Sequence, residues 1–170
     1  MFEGMDPGQP RREAQWQEVS RLFKPAMLLS ICFTLAAEAI HRLPMVNQLI
    51  GGERADDARA WVYVALMYLV SVPLLFFRMR RALSGFKPPD NGLGTRVFVA
   101  TGGALICIGL IVLPVIVLEW GPSAALRGQS LYLLFSGNVL GTTLVGGVLG
   151  YGAALAAWML LCGVPKVVLR

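Results

Sequence analysis

The chain has 170 residues, of which 56% are hydrophobic and only 15% are charged, and its mean hydropathy is +0.63. Soluble domains carry about a quarter of their residues as charges, so this composition excludes one. The net charge of +5 does not point to a nucleic-acid partner, because the Lys and Arg residues gather at the ends of apolar runs, where membrane orientation signals belong. The apolar residues form long runs rather than alternating, which favours helices over a lipid-facing barrel. The expected fold is therefore all-α: a polytopic membrane protein of four transmembrane helices.

Residues 1 to 24 are polar and carry Arg11, Arg12, Arg21 and Lys24, while Trp16, Val19, Leu22 and Phe23 recur at helical spacing. Two readings fit: an amphipathic helix on the membrane surface, or a helical lead-in to the first span. That span is expected over residues 22 to 41, opening near Pro25, a residue tolerated in a first helical turn. The basic start, the apolar run and Ala37-Glu38-Ala39 also admit a cleaved signal peptide, but its n-region would be unusually long and would hold four acids.

A loop to about Ala60 follows, with Gly51-Gly52 and the mixed charges Glu53, Arg54, Asp56, Asp57 and Arg59, and is read as solvated. The second span is expected over 61 to 77, close to the lower limit for crossing a hydrocarbon core of about 30 Å, with Pro73 as a source of a kink. Arg78, Arg80, Arg81, Lys87 and Arg96 then bracket a turn at Pro88-Pro89-Asp90-Asn91-Gly92 and make the densest basic cluster of the chain. The third span, 97 to 118, ends at Glu119-Trp120-Gly121-Pro122. The stretch from Leu131 to Val164 would reach about 50 Å as one helix, too long for a single crossing. Ser136-Gly137-Asn138 is the natural break, leaving an interfacial or re-entrant piece over 131 to 136 and a fourth span over 139 to 162.

With the N-terminus inside, eleven of the fifteen basic residues fall on the inner face, and Arg42, Arg54, Arg59 and Arg127 on the outer. This satisfies the positive-inside rule and predicts both termini inside, with a bacterial cytoplasmic membrane as the expected location. Trp61 and Trp120 would then lie at the outer boundary and Trp158 near the inner one.

No cofactor is expected. A single histidine, His41, excludes bis-histidine haem ligation, and no C-x-x-C, H-E-x-x-H or P-loop pattern is present. Cys32, Cys107 and Cys162 lie singly in three apolar segments and read as small core residues. The two cysteine pairs of a quinone-linked disulfide oxidoreductase are missing, and no nucleophile with its base is recognisable.

Glu38 is the one acid inside an expected span. An intramembrane carboxylate raises the question of a proton or ion site, but His41 at i+3 and Arg42 at i+4 offer an interfacial ion pair instead. In the last span, Gly137 and Gly141, then Gly146 and Gly150, repeat every four residues. Gly146, Gly150, Ala153 and Ala157 continue one small-residue face that lets helix backbones approach closely. Packing within the chain and a contact with a second copy or a partner subunit both use such a face.

Two function classes follow. The first is a non-catalytic subunit or assembly factor of a larger membrane complex of secretion, conjugation or respiratory type, joined through the last helix, with the basic loop meeting anionic lipid or a soluble partner. The alternative is an oligomeric small transporter or channel subunit, with Glu38 and the break at Gly137-Asn138 lining the pathway.

Overall fold

The structure, a computed structural model, describes residues 9–49, 58–85, 92–123 and 126–168. The loop charges Glu53, Arg54, Asp56 and Asp57, together with Lys87 and the turn from Pro88 to Asn91, lie outside the described residues. Among the described residues there are helices and no strand. Four helical stretches are long and apolar enough to cross a membrane: Glu13–Ile40, Ala58–Ala82, Gly94–Ser123 and Val139–Val168. The chain is an integral, multi-pass, all-α membrane protein.

The first stretch joins α1 (Gln9–Arg21) to α2 (Phe23–Ile40) with Leu22 alone between them. Hydrogen bonds from Leu22 N to Val19 O at 3.0 Å and from Ala26 N to Leu22 O at 3.1 Å carry the helix through that residue. The polar N-terminal segment is thus a lead-in continuous with the first span. A short helix, α3 (Pro44–Leu49), follows. The second stretch is α4 (Ala58–Leu66), a π turn (Met67–Ser71) and α5 (Val72–Ala82). The third is α6 (Leu93–Trp120) with Pro114 inside it and a 3₁₀ turn, Gly121–Ser123, at its end. After α7 (Leu126–Ser136), the fourth is α8 (Val139–Trp158), a π turn (Met159–Gly163) and α9 (Val164–Val168).

Each helix matches an expected span but runs beyond it at one end or both. Apolar runs mark where hydrocarbon lies, whereas backbone hydrogen bonding continues into the polar flanks. The second and fourth spans each run past a proline, Pro73 and Pro165. A proline ring strikes the carbonyl four residues before it, and both π turns end two residues ahead of a proline, Ser71 before Pro73 and Gly163 before Pro165. Widening the turn moves that carbonyl aside, so each helix passes its proline instead of stopping.

The break at Ser136-Gly137-Asn138 is observed. Gly137 N still bonds to Leu133 O at 2.9 Å, closing α7. Asn138 then leaves the helical conformation, with φ −138° and ψ 133°, and its side chain accepts from Leu140 N at 2.9 Å as the N-cap of α8. The piece expected over 131 to 136 is the second half of an 11-residue helix.

α8 lies at the centre, packed by α2, α5, α6 and α7. Two apolar clusters hold the bundle at opposite ends. One gathers Ala37, Tyr63, Met67, Leu118 and Phe135, and the other Val19, Leu75, Met79, Leu83 and Trp158. The second includes residues from the beginning of the first span, the end of the second and the end of the fourth, so these segments meet at one end. Trp158 is buried in this cluster.

Candidate functional site

The bundle has three distinctive surfaces: the small-residue face of α8, a polar seam beside it, and the outward face of α6.

Gly141, Gly146, Gly150 and Ala153 are all buried, and helices of the same chain cover them. A Cβ on Gly146 would collide with the ring of Tyr63. One on Gly150 would lie 3.2 Å from Met67 Cγ, tighter than ordinary contact, and one on Gly141 would run into the Leu134 carbonyl of α7. Gly137 is exposed at the break and Ala157 is half-buried. The face therefore seats α4 and its π turn inside the chain, and the outward side of α8 is made by Leu140, Leu144 and Val148 instead.

Beside this face runs a seam of polar side chains from α2, α4 and α8. Ser30 Oγ and Tyr63 OH share a hydrogen bond of 2.7 Å, and Ser30 Oγ also reaches the Thr143 carbonyl at 2.6 Å. Thr143 Oγ1 donates to Thr34 Oγ1 at 3.0 Å and lies 2.9 Å from the Val139 carbonyl, while Thr34 Oγ1 donates to Ser30 O at 2.8 Å. Thr142 Oγ1 lies within hydrogen-bond distance of the carbonyls of Phe135, at 2.6 Å, and Asn138, at 2.9 Å, tying α7 to the start of α8. In lipid, where water is absent, such bonds hold helices together because an unsatisfied hydroxyl is costly. In the sequence, Thr142 and Thr143 near the start of the last span mark one part of this seam. The signal that could have found the rest is the recurrence of Ser30, Thr34 and Glu38 every four residues in an apolar run, which puts all three on one helix face.

The seam ends at an ion cluster. Glu38 Oε1 accepts from Arg42 Nη2 at 2.7 Å, and Glu38 Oε2 from Arg59 Nη1 at 3.5 Å. Arg59 Nη2 donates to the Ser136 carbonyl, the C-terminal end of α7, where a cation also complements the helix dipole. His41, proposed as a partner for Glu38, donates from Nδ1 to the Ala37 carbonyl at 3.0 Å. Arg59 was read as part of a solvated loop. It lies instead in the first turn of α4 with its side chain only 15% exposed, and it fastens α2, α4 and α7 to one another.

Of the basic cluster, Arg78, Arg80 and Arg81 stand exposed on the last turns of α5, whereas Arg96, in the first turns of α6, is half-buried. Lys166 of α9 joins them at that end, its Nζ donating to Ser84 O at 3.3 Å.

α6 differs from its neighbours. It buries Ala100, Cys107, Pro114, Val117 and Leu118 against the bundle and turns Phe98, Leu105, Ile106 and Gly109 outward, with Gly102 half-buried at the edge of that face. A Cβ added at Gly102, Gly103 or Gly109 would meet nothing within 4 Å. Tyr68, whose hydroxyl donates to Ile111 O, anchors the inward side.

Cys32 is exposed, Cys162 half-buried and Cys107 buried, all as free thiols. Among the described residues, no three His, Cys, Asp or Glu side chains come together as metal ligands would.

The fold and these features define a class: a four-span helical membrane protein whose central helix is packed by glycine and stitched by intramembrane hydroxyls. Beyond that class, no known protein family, curated protein or solved structure matches the chain.

Proposed function

We propose that the protein is a non-catalytic subunit or assembly factor of a larger membrane complex, of secretion, conjugation or respiratory type, in a bacterial cytoplasmic membrane with both termini inside. The observation that carries this reading is the outward face of α6, where open glycines at 102 and 109 stand one above the other, seven residues apart, between Phe98, Leu105 and Ile106. Glycines on a helix face exposed to lipid bring no packing gain by themselves. They become useful when a helix of another subunit approaches closely enough to make van der Waals contact with the backbone. The contact expected through the last helix moves to α6 in this reading, because the chain's own α4 and α7 already occupy the small-residue face of α8.

Purification in a mild detergent followed by mass spectrometry tests the proposal: a second polypeptide should co-elute in fixed ratio, and a lone monomer contradicts it. Tags at either end, probed in spheroplasts, should be accessible only after lysis.

The seam supports a second reading, a proton-linked transporter or channel subunit in which hydroxyls relay between Glu38 and Tyr63. Its test is Glu38→Gln in liposomes, which should change pH-dependent flux. Unchanged flux removes Glu38 from any such path.

A further inference from the structure

We infer that a cavity between the ends of α5 and α9 binds the phosphate headgroup of an anionic phospholipid. It has a volume of about 390 Å³ and is lined by Arg80, Leu83, Ser84, Trp158, Leu161, Cys162 and Lys166. Two cations from different spans stand over it, and among the described residues no carboxylate lines it.

The chemistry of the two cations suits a tetrahedral anion. Lys166 uses one N–H on the Ser84 carbonyl, a long bond of 3.3 Å, which leaves its other donors for a ligand. Arg80 is exposed, and among the described residues no acid forms an ion pair with it. Its planar guanidinium presents paired donors that match phosphate oxygens. Elsewhere the bundle treats its cations differently: Arg42 and Arg59 both reach Glu38, while Arg80 and Lys166 are left to share a cavity.

The walls decide between a lipid and a free phosphate. Leu83 and Trp158 are buried and form the inner wall, whereas Leu161 is 67% exposed and faces outward from the bundle. An anion held between Arg80 and Lys166 would thus carry its acyl chain over Leu161 into surrounding lipid. A soluble phosphate gains nothing from those surfaces. Basic cavities between helix ends, at the depth where headgroups lie, are the usual place for such recognition, and Arg78 and Arg81 alongside raise the local anionic lipid concentration. This inference does not depend on the subunit reading, since a monomer presents the same cavity.

The test uses the whole protein in neutral detergent with phosphatidylglycerol and phosphatidylcholine of matched chains, read by native mass spectrometry. Phosphatidylglycerol should be retained about tenfold over phosphatidylcholine, as two basic contacts to one headgroup imply. Arg80→Gln with Lys166→Gln should abolish that preference, while Arg78→Gln, outside the cavity, should keep it. Equal retention of the two lipids, or a preference surviving the double substitution, overturns the proposal. Glycerol phosphate at millimolar concentration should not displace the lipid; displacement would assign the site to soluble phosphate esters and overturn the lipid assignment. Photo-crosslinking of the unaltered protein with headgroup-labelled phosphatidylglycerol should mark residues 79 to 84 and 161 to 167. Labelling confined to other segments also overturns it, whatever the fate of the variants.

Discussion

In α8, Gly146 and Gly150 lie beneath Tyr63 and Met67 of the neighbouring span, whereas in α6 Gly102, Gly103 and Gly109 face open space. The most apolar window of α8 is 39% buried within the chain, and that of α6 only 22%. Both spans are rich in glycine, so glycine content alone does not say which helix packs where. What separates them is the partner each glycine faces: a large side chain held in place by its own hydrogen bond, as Tyr63 is by Ser30, or nothing. In α8, Gly141, Gly146, Gly147 and Gly150 are consumed in building the monomer, while Gly152 meets no neighbour. On the α6 side, Gly102 and Gly109 are the glycines that we propose a further helix approaches.

The largest expected effect comes from filling the packed side. Gly146→Leu drives a side chain into the Tyr63 ring, and overpacking of that size should destabilise by about 3 kcal/mol or more, read as a lowered thermal midpoint in detergent. An unaltered midpoint would mean that α4 does not seat on α8. Next come the connections that hold the packed side in register. Asn138→Ala removes the N-cap of α8 and should cost about 1 kcal/mol. Glu38→Ala leaves Arg59 without its carboxylate at the junction of α2, α4 and α7, again about 1 kcal/mol, between the worth of exposed and buried pairs. Tyr63→Phe keeps the ring over Gly146 but loses the Ser30 bond, and should cost about 0.6 kcal/mol, the average for a hydroxyl bond between membrane helices. The smallest effect on stability belongs to the open side. Gly109→Leu should stay within about 0.5 kcal/mol of the unaltered protein, and a loss as large as that of Gly146→Leu would erase the distinction between the two helices.

The four crossings were legible because long apolar runs separated by polar loops have few other structures open to them in lipid. The break at Gly137-Asn138 was legible from length alone, since one helix from Leu131 to Val164 overshoots the bilayer. The continuation past Pro165 was not, because sequence shows the proline but not the wide turn that accommodates it. Arg59 was hidden for a related reason: beside Asp56 and Asp57 it looks like one more loop charge, and only the return of α7 brings the Ser136 carbonyl to it. The spacing of Gly146 and Gly150 marks a small-residue face, and the side chains that lie on it, Tyr63 and Met67, come from the protein's own second span. The cavity under Arg80 and Lys166 joins residues more than eighty positions apart, and no local pattern links them.

Whether another subunit docks on the outward face of α6, as we propose, is decided by Gly102→Leu with Gly109→Leu, purified from native membranes in mild detergent beside the unaltered protein. The double variant should unfold at nearly the unaltered midpoint yet lose the polypeptide that otherwise co-elutes with the protein. Retention of the same partner in the same ratio, with both glycines filled, would contradict the proposal.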